Sequence, residues 1–163
     1  MIVILMGVSG SGKTHVGKLL AERTGWALFE ADDFHPEGNI EKMSRGIPLE
    51  DADRWPWLGK MRIALTKTAK AGESAVATCS ALKRSYREFL ADGLPGEVMW
   101  VLLFADQELI EQRMRGREHF FPPSLLESQL RTLEIPDPGE ALVIDADQPA
   151  EDIVDAILAT IER

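Results

Sequence analysis

The chain has 163 residues, enough for a single domain that buries roughly two-thirds of the unfolded chain's surface. Its formal net charge of −9 argues against a general nucleic-acid or anionic-membrane binder, so any anionic ligand has to meet locally clustered Lys and Arg. Cys79 is the only cysteine, which leaves no disulfide framework and no cysteine-rich zinc pattern and suits a reducing cytoplasm.

The apolar run Ile2-Val3-Ile4-Leu5-Met6 is too short for a signal-peptide core or a membrane span and reads as a first strand. It delivers Gly7-Val8-Ser9-Gly10-Ser11-Gly12-Lys13-Thr14, which matches G-x-x-x-x-G-K-[ST] at every fixed position. Glycines let consecutive N–H groups turn inward around an anion, and the positive end of the next helix reinforces the site. Polyphosphate fits there. Gly7, Ser9, Gly10, Ser11 and Gly12 would form the cradle, Lys13 would reach the β- and γ-phosphates, and the Thr14 hydroxyl would ligate Mg²⁺.

Val16, Leu19 and Leu20 keep helical spacing up to Gly25, and Ala27–Ala31 reads as a second strand. A short helix is expected between Gly38 and Gly46. A longer one starts around Asp53, with Pro56 tolerable only in its first turn and Leu58, Met61, Leu65 and Ala69 on its inner stripe. Ser74–Cys79 is the third strand, followed by a helix up to Gly93; Val98–Phe104 is the fourth, and Asp106 caps a helix that runs to about Arg115. Pro122-Pro123 precedes a helix carrying Leu126, Leu130 and Leu133. Ala141–Asp145 is the fifth strand, and the last helix runs from about Pro149. Apolar strands alternating with helices predict a doubly wound α/β domain, a five-stranded parallel sheet covered on both faces. Ligands bind beyond the carboxyl ends of such strands, which directs attention to the residues just after each one.

Glu30 and Asp32 are two apart at the end of the second strand, so their side chains should point to the same side of the sheet as an acidic pair beside the phosphate loop. Asp32 suits a carboxylate that orients an attacking hydroxyl and accepts its proton, and Glu30 a holder of a Mg²⁺-bound water. Arg113, Arg115 and Arg117 lead into a segment, about 114–123, that suits a lid over nucleotide phosphates. At spacing two they do not share one helical face, so one or two should reach the site. Lys83, Arg84 and Arg54 are candidates for a substrate's negative group. His35 suits a hydrogen bond to a substrate hydroxyl or a structural turn, and Trp57 either packing or a pocket wall. The histidines His15, His35 and His119 show no zinc-ligand spacing.

With these blocks assembled, the sequence resembles the gluconokinase family of small P-loop kinases over nearly its whole length. The resemblance rests on the loop Gly7 to Thr14, on Asp32-Asp33-Phe34-His35-Pro36 with Asn39, Lys42 and Met43, and on Gly46-Ile47-Pro48-Leu49 leading to Asp51, Asp53-Arg54 and Pro56-Trp57-Leu58. It continues through Cys79-Ser80-Ala81-Leu82-Lys83-Arg84 with Tyr86 and Arg87, then Arg117, His119-Phe120-Phe121, Ser128-Gln129, Leu133-Glu134 and Asp145 to Gln148. The family's D-x-D pattern is Glu30-Ala31-Asp32 here, and Glu118 replaces a frequent lid glycine.

The resemblance implies a three-layer P-loop kinase fold with a small lid, and transfer of the γ-phosphoryl group of ATP to the 6-hydroxyl of D-gluconate by a cytoplasmic homodimer using Mg²⁺. By position, Lys13, Asp32 and Arg117 would serve the chemistry. Arg113, Asp147 and Gln148 would join the loop in holding ATP, and Asp32, His35, Arg54, Lys83, His119 and Gln129 would hold gluconate. Other acceptors, shikimate or a nucleoside monophosphate, and a slowly hydrolysing nucleotide switch are the competing readings.

Overall fold

The computed structural model describes residues 1–115 and 124–163. Five strands, β1 (Ile2–Met6), β2 (Ala27–Glu30), β3 (Ala75–Thr78), β4 (Val98–Phe104) and β5 (Leu142–Asp145), form one sheet in the order β2-β3-β1-β4-β5. Every pairing in it is parallel. Seven α-helices are described: α1 (Lys13–Thr24), α2 (Glu37–Ser44), α3 (Asp51–Lys70), α4 (Arg84–Ala91), α5 (Gln107–Arg115), α6 (Ser124–Thr132) and α7 (Ala150–Ile161). The protein is an α/β domain of the expected type. None of the described helices is long and apolar enough to cross a membrane.

β1 is central because all five of its side chains are apolar and fully buried, as a strand with neighbours on both edges and helices on both faces requires. Each such side chain contributes about 1.5–3 kcal/mol of burial free energy. α1 packs against α7 and α3 against α4. Gly17 lets α1 approach the sheet closely: a Cβ there would lie 2.8 Å from Thr78 Cγ2 and 3.3 Å from Leu28 Cδ1.

The strand order sets the site. Leu5 pairs with Thr78 and Met6 with Leu102, so the segment leaving β1 emerges between the ends of β3 and β4, where the strand order reverses. Backbone bonds hold it there, from Cys79 N to Leu5 O (2.9 Å) and from Gly7 N to Ser80 O (3.3 Å).

Two expectations change. β2 stops at Glu30, and Ala31–Phe34 is a turn of 3₁₀ helix, so the two-residue alternation does not carry Glu30 and Asp32 to one side. α3 starts at Asp51 rather than near Asp53, because Glu50 and Asp53 form a reciprocal capping box, with Glu50 N donating to Asp53 Oδ2 at 2.9 Å. Pro56 therefore lies beyond the first turn, inside the helix. Its missing N–H leaves one carbonyl of the first turn without the usual helical partner.

Candidate active site

Gly12, in the left-handed region (φ 97°), ends the loop and caps α1 with no side-chain hydrogen bond, so the first N–H groups of α1 have no side-chain acceptor among the described residues. Gly7 (φ 138°) has no alternative, since a Cβ would sit 2.8 Å from the Leu103 carbonyl oxygen. The Lys13 ammonium is held by the carbonyls of Gly7 and Val8, both at 2.9 Å, and burial lowers its pKa below the usual lysine range. Nearby Asp32 acts in the opposite direction. The buried Ser11 hydroxyl has no partner among the described residues.

The loop forms one wall of a cleft of about 240 Å³. Ser9, Gly10, Gly12, Lys13 and Thr14 line it from one side and Asp32, His35, Arg54 and Trp57 from another, with Arg113 and Gln129 alongside. Met43, Leu49 and Leu125 supply apolar surface. Asp32 lines the cleft with its side chain two-thirds accessible (66%), and desolvation by the protein around it raises its pKa. Lys13 counters the shift and Asp33 adds to it.

His35 is enclosed, with a side chain only 3% exposed, stacked on Trp57 at 4.1 Å between ring centroids with 16° between planes. Burial, aided by the Arg54 charge, pushes its pKa down to about 4, so the ring is neutral at ordinary pH. Trp57 Nε1 donates to the Ala31 carbonyl at 2.6 Å and fixes the indole beneath it. Of the two roles open to Trp57 in the sequence, it fills both, as packing and as wall.

Arg54 is tethered: its Nη1 donates to the Tyr86 hydroxyl oxygen at 2.7 Å, and the Tyr86 hydroxyl donates to Asp51. Lys83 donates to the same carboxylate at 3.2 Å and lies outside the lining of the cleft. The bond from Tyr86 and then that from Lys83 hold Asp51 below the usual carboxylate range. Arg84 is on the surface, paired with Glu88 and Asp137.

Arg113 reaches the loop, donating to the carbonyls of Ser11 (3.2 Å) and Ala146 (2.7 Å). Arg115 points to solvent with its side chain 77% exposed. Arg117, His119 and the lid segment 116–123 lie outside the described residues. Gln129 accepts from Ser9 N at 2.7 Å and ties α6 to the loop. Asp147 and Gln148 are exposed in the β5–α7 turn, bonded to Asp145 and outside the cleft lining. Glu30 is also outside that lining, and its buried Oε1 has no hydrogen-bond partner among the described residues. No cluster of three or more His, Cys, Asp or Glu suited to a metal occurs among the described residues.

Two motif residues to which the sequence assigned no role turn out to support the site: Asn39, which bonds His35, and Tyr86, which anchors Arg54. Asn39 had a signal in its i, i+4 spacing from His35. The pairing of Tyr86 with Arg54 had none, the two being 32 positions apart.

Residues 2–136 match the family model of the AAA domain. The gluconokinase of Gluconobacter oxydans (strain 621H) is 48% identical over 153 residues, covering 93% of this chain and 85% of its own. A crystal structure of a sugar kinase from Janibacter sp. HTCC2649 is 47% identical with a TM-score of 0.93, covering 99% of this chain and 94% of its own. That of a gluconokinase from Sinorhizobium meliloti 1021 is 45% identical with a TM-score of 0.87, covering 99% and 91%.

Proposed function

The chain carries an AAA domain and belongs to the gluconokinase family, and from that premise we propose that it transfers the γ-phosphoryl group of ATP to the 6-hydroxyl of D-gluconate. The observation that carries this reading is the single cleft in which Lys13 and Thr14 of the phosphate loop face Asp32, His35 and Arg54.

Phosphoryl transfer passes through a loose transition state, so the protein's work is positioning and charge stabilisation. The loop N–H groups and Lys13 hold the β- and γ-phosphates. Asp32 orients the acceptor hydroxyl and takes its proton as the new O–P bond forms and the bond to ADP breaks. Arg54 holds the gluconate carboxylate, an arrangement suited to a guanidinium braced by Tyr86. His35 and Gln129 bond substrate hydroxyls, and Arg113 covers the nucleotide. Lys83 acts on gluconate through Asp51 and Tyr86, holding Arg54's brace in place.

Mg²⁺ belongs to the same reading. Thr14 is an oxygen donor on the cleft wall, and the unpartnered Oε1 of Glu30, whose strand neighbour Thr78 lines the cleft, is an acceptor suited to a metal-bound water. When bound with the nucleotide, the ion neutralises phosphate charge. A cytoplasmic homodimer completes the proposal, and light scattering in solution tests the dimer.

ADP release measured with gluconate, shikimate and nucleoside monophosphates as acceptors decides between the readings. Turnover that depends on gluconate is expected. Turnover with shikimate alone would replace the acceptor, and hydrolysis indifferent to every acceptor would favour a nucleotide switch.

A further inference from the structure

Asn39, in the first turn of α2, is buried at 5% exposure, four residues after His35. Its side-chain nitrogen donates to the backbone carbonyl of Asp53 at 2.9 Å and lies 3.2 Å from His35 Nδ1. A carbonyl oxygen only accepts, so the bond to Asp53 fixes which end of the Asn39 amide is NH₂. That same NH₂ faces Nδ1 with its second hydrogen, so Nδ1 presents its lone pair and the ring's proton is on Nε2.

We infer that Asn39 is a positioning residue that locks His35 as the Nε2–H tautomer, so that the imidazole offers a neutral N–H donor to a substrate hydroxyl oxygen beside Asp32. The ring plane is held independently by the stack on Trp57 and that residue's bond to Ala31. Nε2 is 3.8 Å from Asp32 Oδ1, too far for a direct hydrogen bond, which leaves its proton for a hydroxyl placed between the two. Among the described residues, the charged groups facing the ring are Asp32 from its own turn and Arg54 from α3; the Asp53 carboxylate is engaged by Lys42 and Glu50 N.

A neutral donor has a chemical advantage here. An imidazolium would pair with the Asp32 carboxylate and weaken it as a proton acceptor, whereas a neutral N–H orients the hydroxyl and leaves that charge free. The role at a hydroxyl rests on the proposed kinase reaction; the tautomer does not.

Long-range ¹H–¹⁵N correlation spectra of the ¹⁵N-labelled protein, with His35→Gln to assign the signal, read the tautomer directly. The expected wild-type spectrum shows Nε2 protonated and Nδ1 bare across about pH 5.5–8, above the ring's depressed pKa. Asn39→Asp replaces the donor by an acceptor, so the proton moves to Nδ1 or the ring becomes doubly protonated. At least a tenfold loss in kcat should follow, with the KM for ATP unchanged and a new pH limb near neutrality. A wild-type ring protonated on Nδ1 overturns the inference even if the variant fails to fold. So does an Asn39→Asp enzyme with the wild-type tautomer and rate. If gluconate is not phosphorylated but the tautomer is as stated, the proposed acceptor fails and the lock stands.

Discussion

Asp32 and His35 stand 3.8 Å apart and are tuned in opposite senses, the carboxyl raised and the imidazole lowered, and burial is the first cause of both shifts. Asp32→Asn keeps the shape but removes the proposed proton acceptor, so kcat should fall about a hundredfold or more while ATP binding is retained. A near-normal rate would remove Asp32 from the chemistry. In the wild type, the acid limb of the rate profile should lie above the ordinary aspartate range, because protonation of Asp32 would abolish its proposed role and its pKa is raised. His35 supplies a second test. Its folded pKa of about 4 is below its usual 6.5, so the unfolded chain takes up the proton first. The contribution to stability is complete above pH 6.5 and is lost as pH falls towards 4, a change of about 3 kcal/mol. Urea unfolding of wild type and His35→Gln between pH 7.5 and 4.5 checks it: the difference between them should shrink by about that amount on acidification. Asp32 and His35 were both legible in the sequence, because each follows a strand end. Their tuning was not. Lys13, Arg54 and Trp57 meet them only through the fold.

At the scale of elements, the strands were readable because a parallel sheet covered on both faces demands unbroken apolar runs, and Ile2–Met6 and Val98–Phe104 leave no other interpretation. The ends were less so. Ala31 reads as strand by composition, but the polar Asp32-Asp33 draws it into a 3₁₀ turn, and the capping box at Glu50 and Asp53 moves the start of α3 ahead of Pro56. Glycines are ambiguous in the same way. By helix propensity alone, Gly17 costs α1 about 1 kcal/mol relative to Ala. The fold gives it a purpose, since it sets how close the helix that begins at Lys13 lies to β3, whose end carries Thr78 into the cleft. Gly17→Val should therefore lower stability by about 1–3 kcal/mol through overpacking against Thr78 and Leu28. An unchanged denaturation midpoint would mean that α1 is free to move outward.

For the whole molecule, the sheet order divides the cleft between crossover units: the segment from β1 to α1 brings the phosphate loop, and that from β2 into α3 brings Asp32, His35 and Arg54. The net charge of −9 gives neither anionic substrate a general attraction, so each needs local cations, and the proposed reading assigns Lys13 to one and Arg54 to the other. Separate holds predict separable losses. A ligand at a hundred times its Kd adds about 2.7 kcal/mol, and at this chain length that raises Tm by roughly 5–10 °C. Thermal unfolding with ADP or with gluconate should show a rise of that order for each in the wild type. In Arg54→Ala the gluconate rise should vanish and the ADP rise persist; in Lys13→Ala the pattern should reverse. If either variant lost both rises while its own unfolding remained cooperative, the two anions would share one hold, and the assignment of the carboxylate to Arg54 would fall.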